Sequence, residues 1–287
     1  MSEYKFQQVF YRAITPLHVG CGQDVGVVDL PIFRERTTGY PMIPGSGIRG
    51  TLRDRFEVKD DAEAKALTRR LFGSDQQNEI SAGCISVLDA RILLFPVRSV
   101  PKVFVWITCP FVIGRYSDDT SHFLGQKPAL DEIKAPPDED HYLGVMNGPS
   151  PLWLEEFPFH RNDLAWSWKG GLDGIDAGRV VLVADSVFDY FVRHATIITQ
   201  HNRLTSAKTV EGGMLFSVEA VPPEAVFYAF IGCTSERTAS ETRMSREEAL
   251  KSLRKKLTGE EKGTETYLSL GGDESTGLGV TRMAWVG

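Results

Sequence analysis

The sequence lacks the patterns that mark disulfide-rich, zinc-binding and membrane proteins. Its four cysteines are far apart and form no CxxC pair, so free thiols in a reducing cytoplasm are expected. The apolar runs at 90–96 and 103–113 are far too short to cross a bilayer. Residues 1–14 have neither the basic nor the apolar region of a signal peptide. We therefore expect a cytoplasmic protein that does not use a membrane as a partner.

An overall excess of positive charge is also missing. The 287 residues include 32 lysines and arginines against 38 aspartates and glutamates, a net charge of −6, which alone argues against a nucleic-acid-binding protein. Within residues 1–56, however, seven basic residues outnumber five acidic ones. This distribution predicts a basic groove on a protein that is acidic overall.

Residues 18–56 combine glycine, aspartate and arginine more densely than the rest of the chain. A glycine-rich loop holds Asp24 and Asp29, and the motif GSGIRG at 45–50 opens a predicted helix that continues to Arg53. Backbone amides at a helix N-terminus, followed by arginines one turn apart, are suited to bind phosphate. The stretch therefore predicts an anion site with an acidic loop beside it.

The remaining patterns predict alternating strands and helices. The predicted strands are 6–14, a strand-like run at 30–35, a pair or one bent strand at 83–97, then 102–113, 179–185, 225–232 and a last strand after the glycine-rich 271–279 loop. The predicted helices are 45–55, 62–73, 187–194 and 245–257, and a long hairpin spans 197–221. Residues 114–178 are rich in turns and predict an insertion with little regular structure. We predict an α+β fold with a mainly antiparallel sheet.

Five segments, taken together and in order, resemble the RAMP superfamily of CRISPR-associated proteins. They are LHVGCGQDVGVVDLPIFRERTTGYPMIPGSGIRGTLR (17–53), GCISVLDARILLFPVRS (83–99), VWITCP (105–110), TVEGGMLFSVEAVPPE (209–224) and GGDESTGLGVTR (271–282). Within that superfamily, the chain is similar to the repeating backbone subunit of Cmr (type III-B) effector complexes. The resemblance implies one domain (1–287) with a ferredoxin-like, RRM-type palm, a β-hairpin thumb at 196–222 and a variable insertion at 114–178.

The resemblance also implies an activity and a set of partners. Copies of such a subunit stack head to tail along guide CRISPR RNA, together with other Cmr subunits. The family's subunit is a metal-dependent endoribonuclease that cuts the guide-paired target RNA at regular intervals. A divalent cation, Mg²⁺ or Mn²⁺, is the implied cofactor. Use of the ribose 2′-hydroxyl implies cleavage of RNA and not of DNA.

The catalytic residues implied by the resemblance are Asp29, which is also the metal ligand, His18 as acid–base and Glu219 as an assisting group. Ala220 follows Glu219 where the family carries an aromatic residue, which departs from the pattern. From the residues alone, Asp29 is also compatible with a turn aspartate bonded to its own backbone. His18 is likewise compatible with a packed, hydrogen-bonded histidine.

The RNA-binding residues implied by the resemblance are Ser46, Gly47, Arg49, Arg53, His201, Arg203, Gly271, Gly272, Gly277 and Gly279. Arg49 stands where the family usually has lysine. Salt bridges from the two helix arginines to Asp54 or Glu57 are the alternative to phosphate contacts. His201 and Arg203 would form a polar hairpin tip that contacts RNA, or a tip that is only solvated. The four glycines would allow close approach of RNA, or they would form a structural turn.

Two other functions remain open at this point. The chain could be a scaffold that binds guide RNA without cutting the target, with Asp29 as a turn residue. It could instead be a guide-processing ribonuclease that works without a metal through His18.

Overall fold

The computed structural model describes residues 3–23, 26–57, 61–74, 81–130, 134–145, 150–164, 166–170, 172–204, 210–237 and 243–286. The side chains of 203–204 and 210–214 are outside this description, as is Asp24. The strands are β1 (Lys5–Ala13), β2 (Met42–Ile43), β3 (Ile85–Val87), β4 (Ala90–Ser99), β5 (Val103–Thr108), β6 (His141–Tyr142), β7 (Leu152–Leu154), β8 (Phe157–Arg161), β9 (Val180–Leu182), β10 (Ile197–Leu204), β11 (Val210–Ala220), β12 (Val226–Cys233), β13 (Glu265–Ser269) and β14 (Val280–Trp285). The helices are α1 (Gly45–Asp54), α2 (Ala62–Phe72), α3 (Pro110–Leu124), α4 (Asp185–His194) and α5 (Arg246–Thr258).

The large sheet has the strand order β13-β14-β1-β12-β4-β7-β8-β6. Strands β2 and β5 also pair with β4, and β3 pairs with β12. Of the pairings between these strands, only β5–β9 and β6–β8 are parallel. A separate antiparallel hairpin is formed by β10 and β11. The predicted α+β fold with a mainly antiparallel sheet is confirmed.

The centre of the sheet is buried on both faces. Every residue of β12 is buried, as expected of a strand whose two faces are both covered. On one face, α3 packs across β1: the Phe6 and Phe123 rings are 4.9 Å apart, and Gln8 Nε2 donates a 2.8 Å hydrogen bond to the hydroxyl of Tyr116. The hydrophobic core therefore continues from the sheet into α3.

Helix α3 corrects two predictions. The strand predicted for 102–113 ends at Thr108, and the supposedly irregular 114–178 segment begins inside a helix. Pro110 occupies the first turn, where the missing N–H is tolerated, and Gly125 ends the helix in the left-handed conformation. Residues 103–113 are apolar on both sides of Pro110, and this pattern by itself predicts one strand across the boundary. Within 114–178 the short strands β6, β7 and β8 extend the sheet.

Other sequence predictions are confirmed with small shifts. Helix α2 is capped by Asp61 at its start and by Gly73 after its last residue, and α5 begins with a capping box formed by Ser245 and Glu248. The run at 30–35 is wrong as a strand, because it makes only isolated bridges to neighbouring segments. All four cysteines are free. In the part of the chain that the structure describes, no helix is long and apolar enough to span a membrane.

Candidate active site at the foot of the hairpin

The loop that carries Asp29 is attached to the foot of the β10–β11 hairpin. Leu30 N donates to Ser217 O at 3.0 Å, and Glu219 N donates to Leu30 O at 3.0 Å, so Leu30 forms a parallel bridge with Val218. The partners are almost two hundred residues apart in sequence. The loop therefore takes its position from strand β11.

The Asp29 side chain is exposed but held firmly on one side. Its Oδ2 accepts a 2.8 Å hydrogen bond from Ser217 N and a 2.7 Å hydrogen bond from Ser217 Oγ. The backbone hydrogen bond from Ser217, and then the hydroxyl bond, lower the pKa of Asp29 below its ordinary value because both stabilise the ionised form. The site thus presents a carboxylate that is charged at neutral pH and open to solvent.

His18 lies buried beside the same strand. Its Nδ1 is 2.6 Å from Glu219 O, and because a carbonyl only accepts, Nδ1 is the protonated nitrogen. In the neutral ring, Nε2 is then the acceptor. A Cβ at Gly20 would lie 2.7 Å from Nε2, so glycine at that position makes room for the ring. Both the packed-histidine and the acid–base interpretation fit this arrangement.

Glu219 is buried and its carboxylate faces the protein. Oε1 accepts from Arg34 Nη2 at 2.5 Å and from Thr196 Oγ1 at 2.9 Å, and Oε2 accepts from Ile32 N at 3.1 Å. Arg34 also donates to Val192 O at the end of α4. This carboxylate joins the Asp29 loop, the start of β10 and α4. The geometry favours a structural role for Glu219, and its predicted catalytic role stays a prediction.

The GSGIRG motif begins α1 as predicted, with Ser46 and Gly47 exposed. The amide of Gly45 already donates to Asp89 Oδ1 at 2.7 Å, so the first amide of the helix is occupied by a carboxylate. A Cβ on Gly47 would meet no atom within 4 Å. The open surface available to an RNA backbone is therefore at Ser46 and Gly47.

The two helix arginines make intramolecular contacts. Arg49 donates through Nη2 to Phe72 O, and its guanidinium carbon lies 6.0 Å from the Phe72 ring centroid. Arg53 Nε is 3.0 Å from Glu57 Oε1, which is one of the salt bridges named above as the alternative. Contacts of these arginines with phosphate stay a prediction.

The glycine-rich loop 271–279 packs against His18. Gly272 N donates to His18 O at 2.8 Å, and a Cβ on Gly271 would collide with the same carbonyl oxygen. Gly271, Gly277 and Gly279 all have positive φ values, which L-residues adopt at a cost. The close packing and the positive φ values give a structural explanation for these glycines. Their contact with RNA stays a prediction.

His201 lies on the shaft of the hairpin, which corrects its predicted place at the tip. It pairs with Phe216 across the strands, and the two rings stack with centroids 5.6 Å apart. The turn at 205–209 and the side chain of Arg203 lie outside the described residues.

Of the predicted site residues, the structure brings together Asp29, His18, Glu219 and the 271–272 glycines.

Two residues of this site, Ser217 and Arg34, are not among the residues predicted from the sequence. Ser217 and Glu219 are two positions apart on β11, so they share a face of the strand, and this alternation was the available signal for Ser217. Arg34 carried no comparable signal, since its partner Glu219 is 185 residues away. Asp89 also supports the site, because its Oδ1 accepts the hydrogen bond from Gly45 N at the start of α1.

The described residues supply one carboxylate for the predicted divalent cation. No group of three or more His, Cys, Asp or Glu side chains in the described ranges is arranged to hold a metal. Mg²⁺ commonly keeps several waters and is held by one or two carboxylates together with substrate phosphates. Asp29 fits a cation site of that open kind, which RNA phosphates would complete.

Comparison with known proteins places the chain in a family. The model of the RAMP superfamily matches residues 10–282. The CRISPR system Cmr endoribonuclease Cmr4 of Pyrococcus furiosus is 30% identical over 288 residues, covering 94% of this chain and 92% of the relative.

Solved structures agree with this match over nearly the whole chain. A chain in the cryo-EM structure of the Type III-B Cmr-beta bound to cognate target RNA superposes with a TM-score of 0.74 at 25% identity, covering 98% of this chain and 96% of that one. The crystal structure of oligomeric Cmr4 from Pyrococcus furiosus has a TM-score of 0.67 at 26% identity, with 99% of each chain covered. The family model matches most of the chain, including the α1 motif and the Asp29 loop, and the chain belongs to the RAMP superfamily.

Proposed function

We propose that this chain is the repeating backbone subunit of a type III-B CRISPR effector complex, which binds guide RNA and cuts the paired target RNA at regular intervals. The observation that carries the proposal is the exposed, ionised carboxylate of Asp29, which Ser217 fixes at the foot of the hairpin. The relatives named Cmr4 and the Cmr-beta complex with target RNA support the same function. The four free thiols are consistent with work in a reducing cytoplasm.

The finer architecture of the proposal is a ferredoxin-like palm with the β10–β11 hairpin as its thumb. Support comes from the strand order β14-β1-β12-β4, in which all neighbours are antiparallel. Helix α1 lies between β1 and β4 in sequence, and α5 lies between β12 and β14. That succession is the split βαβ arrangement of ferredoxin-like domains. Residues 114–178 are then an insertion within one domain.

Guide RNA would contact the open start of α1. Ser46 and Gly47 are exposed there, and a backbone without a side chain allows close approach of phosphate. Arg49 and Arg53 add positive charge on the following turns. The 271–279 loop and the hairpin residues His201 and Arg203 would extend the RNA contact. The other partners are further copies of this chain, packed head to tail, and the remaining Cmr subunits.

For cleavage, the hairpin would separate one target nucleotide from its neighbours so that its 2′-oxygen lines up with the adjacent phosphate. The bond between the 2′-oxygen and phosphorus would form as the bond from phosphorus to the 5′-oxygen breaks, and the 5′-oxygen would leave with a proton from solvent. Asp29, held by Ser217, would hold a divalent cation beside that phosphate, because the negative charge of the carboxylate alone would repel it. His18 Nε2 would be the acceptor for the 2′ proton. A divalent cation at Asp29, Mg²⁺ or Mn²⁺, would neutralise the charge that develops on the phosphate.

The proposal is tested with complex reconstituted from this chain, its partner subunits and guide RNA, incubated with end-labelled complementary RNA. We expect a regular ladder of products in Mg²⁺ that is absent in EDTA and absent with complementary DNA. Tight binding of RNA without a ladder would replace the proposal with a scaffold. A ladder that persists in EDTA would replace it with metal-free chemistry, for which His18 is the next residue to change.

The contact at the start of α1 predicts a difference between two glycines of the same helix. Gly47 and Gly50 are both exposed, and a Cβ at either would meet no atom within 4 Å. Alanine should therefore stabilise the helix at both positions, by about 0.5–1 kcal/mol. If RNA approaches the first turn, Gly47→Ala weakens guide binding about tenfold, the loss of one hydrogen bond to a charged group.

Gly50→Ala, one turn further along, is the control and should bind guide RNA like the wild type. Thermal unfolding and filter binding of both variants measure the two effects. If the two variants bind guide RNA equally well, Gly47 is not part of the contact with guide RNA.

A further inference from the structure

Ser217 is engaged with Asp29 through three hydrogen bonds. Its backbone N and its hydroxyl both donate to Asp29 Oδ2, at 2.8 and 2.7 Å, while Ser217 Oγ accepts from Asp29 N at 3.0 Å. A serine hydroxyl has one donor and two acceptor positions, so it can serve both contacts at once. Because both donors bind Oδ2, Oδ1 is the carboxylate oxygen that can meet a ligand.

The burial of the two partners differs in a way that fits positioning. Ser217 is only 4% exposed, whereas Asp29 lies at the surface. An exposed aspartate without such a partner would exchange among staggered rotamers. A buried, rigid donor pair instead selects one orientation of the carboxylate before any RNA is bound.

The same strand also ties this orientation to the hairpin. Ser217 O accepts from Leu30 N, and Leu30 O accepts from Glu219 N, so the residues after Asp29 are paired to β11 in parallel. A movement of the hairpin on RNA would therefore move Asp29 with it.

We propose that Ser217 is a positioning residue for target cleavage, which fixes the reactive orientation of Asp29 and makes it follow the hairpin. This inference rests on the proposed function. It assigns to Ser217 no contact with RNA and no part in proton transfer. Its effect is on the rate of the bond-breaking step and not on the assembly of the complex.

The test measures single-turnover cleavage by reconstituted complex at saturating target RNA, with target affinity measured separately. Ser217→Ala should slow cleavage about ten- to a hundredfold, the usual effect of removing a group that orients a reactive one, at unchanged affinity. Ser217→Thr, which keeps the hydroxyl, should recover most of the rate. Ser99→Ala is the matched control: Ser99 is also a buried strand serine, and its hydroxyl has no hydrogen-bond partner among the described residues.

A double-mutant cycle separates positioning of Asp29 from a general loss of structure. In the Asp29→Asn background, Ser217→Ala should cause no further loss, because the group that it orients is already inactive. A wild-type rate in Ser217→Ala, or the same loss in both backgrounds, would overturn the inference while leaving the proposed function intact.

A readout without RNA keeps the two proposals distinguishable. In the free chain, Ser217→Ala should accelerate hydrogen exchange at the amide of Asp29, which loses its acceptor, while Ser99→Ala should not. A wild-type complex that makes no ladder would refute the proposed function. If hydrogen exchange at the Asp29 amide is unchanged in Ser217→Ala, Ser217 does not hold the loop, whether or not the complex cuts RNA.

Discussion

Replacing Asp29 with asparagine is expected to slow cleavage of guide-paired RNA by about 10²–10⁴-fold, the range for losing a positioned catalytic group, at unchanged target affinity. Asparagine is nearly isosteric with aspartate and keeps a carbonyl oxygen that can accept from Ser217. The loop therefore stays attached to β11 while the negative charge is lost. Single-turnover kinetics with saturating target RNA measure the rate directly.

The matched control is Asp138→Asn. Asp138 is also exposed, and a hydrogen bond from His141 lowers its pKa as the Ser217 bonds lower that of Asp29. Complex that contains Asp138→Asn should cut RNA at the wild-type rate. A slower rate with Asp29→Asn is then not a general effect of removing an ionised surface aspartate. Equal, undiminished rates in both variants would leave Asp29 as a structural tie between loop and hairpin.

The second large effect is expected on stability, at Glu219. Glu219→Ala leaves the half-buried Arg34 guanidinium, the hydroxyl of Thr196 and the amide of Ile32 without their shared acceptor. Removing one partner of a buried ion pair costs about 3 kcal/mol or more. Denaturant unfolding of the isolated chain should show this loss as a lower midpoint with an unchanged slope.

A surface ion pair supplies the control. Glu57→Ala breaks the Arg53–Glu57 contact, in which the Glu57 side chain is 57% exposed, and such pairs contribute about 0.5 kcal/mol or less. If Glu219→Ala is as stable as Glu57→Ala, the contacts of Glu219 with Arg34, Thr196 and Ile32 do not stabilise the fold as argued. Glu219→Gln adds a functional arm: a stable variant that binds target but no longer cuts would return Glu219 to a catalytic role.

Local patterns made much of the fold predictable. The helices predicted at 62–73 and 245–257 and the hairpin predicted at 197–221 each depend on residues within a few positions of one another. The start of α1 was also predicted, because the glycines that open it are contiguous in sequence, whereas the catalytic role of Asp29 stays a prediction.

What could not be predicted depends on contacts between distant residues. The orientation of Asp29 comes from Ser217, and the inward turn of Glu219 comes from Arg34 and Thr196. Local sequence contains neither partner. For helix α3 the cause is different: its buried Val112 and Ile113 follow the buried end of β5 within a few residues, and apolar residues on both sides of a boundary do not show where a strand becomes a helix.

By the proposed mechanism, target RNA is cut at the foot of the β10–β11 hairpin. The most direct measurement is a cryo-EM structure of the reconstituted complex with guide RNA and a target that carries 2′-deoxy substitutions at the cut positions. We expect each phosphate to be cut to lie beside Asp29, with the flanking nucleotides separated by the hairpin. A target strand whose cut phosphates lie away from Asp29 would contradict it.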